Sequence, residues 1–350
     1  MTIGQRIKQA RKANNLSLRK LAEEIGVSAM AISKYERDLD VPGSGIMLRL
    51  AQALKVKVDF FFRPSIVSVQ LEAFRKHTTL RIKEQEAIRM RIQDWVERYL
   101  EVENLFPDEQ YPSDLPRFQA YSMNEIEDAA VKLREHWRLG ADPIENLVQL
   151  LEDHGIKVGI ISAFDHFDAC TFKADGSAVI VTKAELTGDR QRFNLGHELG
   201  HLVLDVLGDL DPEKAANRFV GAFLVPTNTA RYELGNQRTD LNFNELYMLK
   251  HKYGLSMQAW VYRAKDLGII SDHTASRLFQ QFRSNSWNRQ EPGKSYPTEI
   301  PSRMDRLVYR ALAEDLICRS RAQELLGRPI QPSWEMEALQ NHEPALSPGN

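Results

Sequence analysis

Two cysteines in 350 residues, Cys170 and Cys318, exclude a disulfide framework and a cysteine-built zinc cluster. They fit a reducing compartment. No apolar run approaches the roughly 20 residues that a membrane span requires. The opening Met-Thr-Ile-Gly-Gln-Arg-Ile-Lys is charged from the start and has no signal-peptide core. Internal repeats and long low-complexity tracts are also missing. These absences point to a cytoplasmic protein with no membrane partner. The composition is ordinary for a globular chain, 43% hydrophobic and 27% charged, and the length suits two or three domains.

Net charge is small as well, at −2, but it is unevenly distributed. Residues 1–63 hold 12 Lys and Arg against 6 Asp and Glu, a net of +6, which leaves −8 on the remainder. A basic module on an acidic body suggests an anionic partner at one end.

The stretch with the densest chemistry is residues 193–204, Phe-Asn-Leu-Gly-His-Glu-Leu-Gly-His-Leu-Val-Leu. Within it His197-Glu198-Leu199-Gly200-His201 reads as HExxH. On a helix, residues four apart share a face, so both imidazoles can converge on one ion. Glu198 stands beside them, placed to take a proton from an attacking water. The apolar residues around the motif predict a mostly buried helix. Two histidines and a glutamate are costly to bury without compensation, and a metal is the simplest one.

Three protein ligands and one open position are what a catalytic zinc needs. Downstream, Asp211 suits a helix N-cap and Pro212 the first helical position, with Glu213 in the first turn. A glutamate reaching back from an antiparallel helix would complete a His197, His201, Glu213 site. Asn217, four residues on, shares its face and can orient a ligand. Asp205 competes, but it lies eight residues from His197, about 12 Å along a helix. Bonds near 2 Å to one ion do not span that, so Glu213 is preferred.

The N-terminal 63 residues read as helices over 3–14, 18–25, 29–37 and 44–54, with 58–62 closing the core. Ser17 and Ser28 serve as caps and Gly26 sits at the turn. Outward positions on the third helix are Ser28, Ala29, Met30, Ser33, Lys34 and Arg37. Leu16-Ser17, Leu21-Ala22, Ile25-Gly26-Val27-Ser28, Ile32-Ser33-Lys34-Tyr35-Glu36 and Pro42 carry a resemblance to the lambda-repressor-like, XRE-type helix-turn-helix family. The resemblance implies a double-stranded DNA partner. Ala29 to Lys34 would enter a major groove, with Arg19, Lys34 and Arg37 near phosphates. Such modules usually read two half-sites, which makes a homodimer an expected state.

Between the two regions, residues 64–119 read as a helical connector, dominated by a charged helix over 79–103. Its expected apolar stripe is Ile82, Ala87, Ile88, Ile92, Trp95, Val96, Tyr99 and Leu100. Residues 106–118 read as a loop, 124–137 and 143–154 as helices, and 157–162, 170–172 and 178–182 as short strands. The last of these is expected at a sheet edge, where an extended peptide can add beside the metal helix. Residues 242–253 and 256–267 read as a helix pair, 287–301 as a loop, 303–325 as helix, and 331 onward as a loose tail.

Arg190-Gln-Arg-Phe-Asn-Leu-Gly-His-Glu-Leu-Gly-His-Leu, then Glu213-Lys-Ala-Ala-Asn-Arg-Phe and Leu224-Val-Pro226, resemble the ImmA/IrrE family of zinc metallopeptidases. Lys252-Tyr-Gly-Leu-Ser-Met-Gln-Ala and Tyr262-Arg-Ala-Lys-Asp-Leu-Gly-Ile are similar to it too. The resemblance covers roughly residues 120–285. It implies one zinc per chain on His197, His201 and Glu213, Glu198 as catalytic base, and a helix-turn-helix repressor as protein substrate. Position 205, often histidine in that family, is Asp here.

The expected architecture is α+β and predominantly helical. It comprises an all-α helix-turn-helix domain (1–63), a connector (64–119), a zincin-like domain with a small sheet and the HExxH helix (120–285), and a helical C-terminal region (286–350). Two functions compete. One is a metalloendopeptidase brought to DNA or to a repressor. The other is a non-cleaving regulator or antitoxin-like protein whose zinc domain is a sensor or scaffold. Tyr247, His251 and Tyr253 are candidates for stabilising an oxyanion.

Overall fold

The computed structural model describes residues 1–63, 69–70, 81–107, 115–162, 167–174 and 176–330. The chain divides into two compact units, Met1–Trp95 with Tyr111–Pro301, and Val96–Gln110 with Ser302–Asn350. The architecture is α+β and predominantly helical.

The first unit opens with α1 (Ile3–Ala13), α2 (Leu18–Ile25), α3 (Ala29–Glu36), α4 (Ser44–Ala53) and a 3-10 turn at Val58–Phe62. Each helix falls within a residue of the span its periodicity and caps predict. Thr2 accepts from the Gln5 N–H while the Gln5 side chain returns to the Thr2 N–H, a capping box. Ser17 and Ser28 cap α2 and α3 through the N–H groups of Lys20 and Ala31. Gly26, at φ 69°, takes the left-handed conformation that turns the chain between them. Ile7, Leu21, Ile25, Ile32, Leu50, Leu54, Phe60 and Phe61 form the core of this bundle. Two acids here are structural: Glu36 pairs with Arg11, and Asp38 accepts from the Gly4 N–H at 2.9 Å.

Helix α5 (Ile82–Glu103) buries Ala87, Ile88 and Ile92 in its first half. Ile82, expected on that stripe, is 84% exposed: it begins the helix, more than a turn ahead of the packed face. Two sheets follow. One has the order β1 (Val69–Gln70), β4 (Ala169–Ala174), β5 (Ser177–Lys183), β3 (Lys157–Ile161); the other pairs β2 (Phe118–Ala120) with β6 (Leu204–Val206). β4 and β5 are an antiparallel hairpin, with Thr171 opposite Ile180, and β3 runs parallel to β5. Strand β5 is therefore interior, which corrects its expected place at an edge. Its hairpin partner β4 and the parallel strand β3 flank it. Phe118, expected in a loop, is in a strand because Leu204 pairs with it in parallel.

Around the sheet lie α6 (Met123–His136), α7 (Leu147–Asp153), α8 (Gly188–Val203), α9 (Pro212–Leu224), α10 (Thr227–Leu234), α11 (Phe243–Tyr253), α12 (Met257–Asp266) and α13 (Asp272–Ser284). Helix α7 starts four residues later than expected from Pro143, because the Asn146 side chain caps it through the Gln149 N–H at 2.8 Å. Leu195, Leu199, Phe219, Phe223 and Trp260 are among the residues at the centre of one large core. Arg91 of α5 reaches both the Ala13 carbonyl at 2.8 Å and the Ser162 carbonyl at 2.7 Å. It thereby ties the end of α1 to the end of β3.

Residues 287–301 have no regular structure, as expected, but they act as a strap on α8. Gln191 and Glu299 exchange two hydrogen bonds at 2.8 Å, side chain to backbone, and the fully buried Arg192 pairs with the Glu299 carboxylate. Gly188 donates to the Tyr296 carbonyl at 3.0 Å, and a Cβ there would sit 1.8 Å from the Pro297 carbonyl oxygen.

The second unit packs Val102 and Phe106 with α14 (Arg303–Ala313) and α15 (Arg319–Leu326) around Leu307, Val308, Ala311, Ala322 and Leu325. The 303–325 stretch, expected to be helical with stop-start signals at Ser320 and Gly327, is two helices. Asp315 adopts φ 55°, Cys318 occupies the N-cap of α15, and Gly327 closes it. Among the described residues, no helix is long and apolar enough to cross a membrane. The expected module end at Pro64, the helix start at Thr79, most of the 69–77 stretch, residues 108–114 of the expected loop and the tail from 331 lie outside the described residues.

Candidate metal centre and nucleic-acid interface

Helices α8 and α9 approach more closely than ordinary side chains allow. A Cβ at Gly196 would lie 2.5 Å from Val220 Cγ2, and one at Gly200 would lie 3.2 Å from Phe219 Cδ1. These two glycines are four apart and each precedes a histidine of the motif. They let α9 lie close against the face that carries His197 and His201.

Asp211 caps α9 by accepting from the Glu213 and Lys214 N–H groups, with Pro212 at the start of the helix. Glu213 thus leaves the first turn toward α8. The closest approaches in the resulting cluster are 3.1 Å between the two Nε2 atoms, 3.2 Å from His197 Nε2 to Glu213 Oε2, and 3.4 Å from His201 Nε2 to Glu213 Oε1. One donor from each residue falls within 4.8 Å of the others. A tetrahedral ion with bonds of roughly 2.0–2.1 Å has edges of about 3.3 Å, so this donor set fits zinc. His197 Nδ1 lies 2.9 Å from Asn217 Oδ1, an acceptor. That contact protonates Nδ1 and leaves the Nε2 lone pair facing the cluster.

Glu198 is buried, and its Oε2 accepts from the Thr171 hydroxyl at 2.6 Å. Burial raises its carboxyl above the ordinary range and the Glu213 charge adds to this, while the Thr171 hydrogen bond and His197 oppose it. A cavity of about 730 Å³ reaches the site through Asn217 and is lined by Phe193, Asn194, Arg218, Ala259 and Tyr262 among others; His197, Glu198, His201 and Glu213 do not line it. This volume is in the range of ligand-binding clefts.

The other sequence candidates lie elsewhere. Asp205 is on β6 and pairs with Arg117. The Tyr253 hydroxyl donates to Glu233 at 2.7 Å, the Tyr247 hydroxyl accepts from the Lys294 N–H at 3.2 Å, and His251 packs edge-on against Tyr247. None of the three touches the cluster in the contacts of the described residues. In the N-terminal bundle, Arg19, Met30, Lys34 and Arg37 are exposed, and Ala29 and Ser33 are half-buried. Ser28 is exposed too, but its hydroxyl is engaged as the cap of α3. Arg37 Nε donates to the Ser33 carbonyl at 3.1 Å, which holds its guanidinium along the helix.

Residues 7–61 match the Helix-turn-helix family, and residues 151–265 match the IrrE N-terminal-like domain. The chain joins a helix-turn-helix domain to an IrrE-like domain. The second match is to a family of zinc-dependent peptidases. Over 70 residues the chain is 36% identical to the "Uncharacterized HTH-type transcriptional regulator y4wC" of Sinorhizobium fredii (strain NBRC 101917 / NGR234), covering 20% of this chain and 49% of that protein. Over 60 residues it is 42% identical to the "Uncharacterized transcriptional regulator in ATPase CF(0) region" of Rhodospirillum rubrum, covering 17% and 56%. The chain spans about half the length of these relatives. ComR from Streptococcus suis aligns over 97% of this chain and 96% of its own at 11% identity, with a TM-score of 0.17, too low to show a shared fold.

Thr171, the glycine pair and the 287–301 strap are not among the residues that the sequence singles out. Gly196 and Gly200, in step with the histidines, were a visible signal of close helix approach. Nothing local marks Thr171, which reaches Glu198 only through the fold.

Proposed function

We propose that the protein is a cytoplasmic zinc-dependent endopeptidase that cleaves a regulator protein, with a helix-turn-helix repressor as the substrate class, and so controls transcription. His197, His201 and Glu213 hold one zinc, and Asn217 fixes the tautomer of His197. When bound, zinc supplies a Lewis acid for the scissile carbonyl and lowers the pKa of water. Glu198 takes the proton from the attacking water and returns it to the leaving amine, so each cleaved peptide bond consumes one water. The observation that carries this reading is the meeting of a three-donor cluster with a buried carboxylate one residue from a ligand. A purely structural metal site has no use for that carboxylate.

Thr171 places β4 directly beside Glu198. At the other end, Arg19, Ser28, Ala29, Met30, Ser33, Lys34 and Arg37 face double-stranded DNA, and a homodimer presents two such modules to two half-sites.

A second reading, a regulator that binds zinc and does not cleave, is favoured by one fact: the relatives that share the helix-turn-helix segment are named as transcriptional regulators. Zinc content and cleavage of a helix-turn-helix repressor, compared between wild type and Glu198→Gln, separate the two. One zinc per chain with cleavage by wild type alone supports the peptidase. Zinc in both with cleavage by neither supports the regulator, and chelator-free protein without zinc removes the proposed site.

A further inference from the structure

We propose that Thr171 is the positioning residue for Glu198: its hydroxyl fixes one carboxylate oxygen so that the other is held for proton transfer. This rests on the peptidase reading above. The Glu198 carboxylate sits at the end of three rotatable bonds, the last of which has a broad torsional preference. A base so mounted is poorly oriented unless something else holds it. The Thr171 hydroxyl lies 2.6 Å from Oε2, and both side chains are buried. An ionised carboxylate only accepts, so the hydroxyl hydrogen goes to Oε2. Among the hydrogen bonds of the described residues none engages Oε1, which is the oxygen left to act.

Threonine suits this duty better than a flexible donor. Its β-branched side chain is stiff about χ1. Its backbone is pinned inside the hairpin, opposite Ile180 on β5. Glu198 is fixed at its other end by α8, whose Gly196 and Gly200 lie against α9. The carboxylate is therefore held between a strand and a helix that do not depend on a bound substrate. Misplacing a reacting group by about 1 Å costs on the order of a hundredfold in rate, so a single well-placed hydroxyl matters. The competing account is that Thr171 only satisfies a buried carboxylate. In that case its loss lowers stability and leaves turnover and the carboxylate position unchanged.

The test uses the full-length zinc-loaded chain as wild type, Thr171→Val, Thr171→Ser and Glu198→Gln. The probe is a mixed pool of internally quenched peptides, with zinc content measured alongside and crystal structures of both Thr171 variants. Thr171→Val keeps the shape and removes the donor. It is expected to lose on the order of 10- to 100-fold in kcat, the usual scale for a supporting residue, with KM and zinc content unchanged. Thr171→Ser is expected to recover most of that loss, and the crystals to show the Glu198 carboxylate displaced in Val but not in Ser. Wild-type turnover in Thr171→Val, or equal losses in Val and Ser, overturns the proposal. If wild type and Glu198→Gln cleave equally, the peptidase reading fails instead. The crystals then decide the positioning claim alone, and an unmoved carboxylate in Thr171→Val overturns it.

Discussion

Glu127 on α6 sits between two guanidiniums. Arg263 pairs with it through both terminal nitrogens, Arg218 Nε lies 2.5 Å away, and the Thr227 hydroxyl donates at 3.0 Å. Burial by itself pushes the carboxyl up, but the hydrogen bond and charge of Arg263, with Arg218 and Thr227, outweigh it and hold the group below its ordinary value of 4.5. A depressed folded-state value means the group stabilises the fold above its unfolded pKa. That contribution is lost as pH falls through the folded value. Glu127→Gln leaves the buried Arg263 without a counter-charge and is expected to cost about 3–5 kcal/mol at neutral pH. The gap between wild type and variant should close as pH drops below 4.5. Urea unfolding of both proteins at a series of pH values reads this directly. A gap independent of pH would show that charge pairing is not what Glu127 contributes.

At the scale of elements, the metal centre depends on the separation of α8 and α9. Gly196→Ala brings a methyl to 2.5 Å from Val220 Cγ2, in a fully buried contact. Replacing a helical glycine by alanine gains about 1 kcal/mol in propensity, whereas overpacking a core costs about 1–3 kcal/mol, so the net effect is destabilising. The same push moves Glu213 and Asn217 away from the histidines. Zinc affinity, measured by competition with a chelator, is expected to fall on the order of tenfold, the lower end for a disturbed supporting contact. Val220→Ala in the same chain should restore it. A variant that loses stability but keeps wild-type zinc affinity would break the link between helix spacing and the site.

This scale also separates what was legible in the sequence from what was not. HExxH, the Asp211 cap and the Glu213–Asn217 face were readable because helix periodicity and capping are local. So were the four helices of the N-terminal domain. The interior position of β5 is not legible, because it depends on its partners β3 and β4 and no local pattern names them. Helix α7 is shorter than Pro143 suggests, because the Asn146 side chain sets its boundary. The 287–301 strap has no periodicity at all. Its role comes from Glu299 meeting Arg192 across 107 positions of sequence.

Across the whole molecule the charge division bears on the proposed contact with DNA. The first 63 residues carry +6 and the remainder −8, so net attraction to a polyanion falls on the N-terminal residues. Each phosphate neutralised releases condensed counterions, and the logarithm of the binding constant falls with that of salt by about 0.9 per phosphate contact. Lys34 is exposed near the end of α3, where a groove-bound helix brings a cation to the backbone. Lys34→Ala is therefore expected to weaken binding to a random-sequence duplex and to lower the salt slope by about one. Lys132→Ala, an exposed lysine on α6 in the acidic remainder, should leave that slope unchanged. Met30, also exposed on α3, should behave differently from both. An apolar contact to a base edge carries no counterions, so Met30→Ala is expected to change sequence preference at constant slope. A slope that responds to Lys132 rather than Lys34 would move the DNA-binding surface off the helix-turn-helix and onto the body.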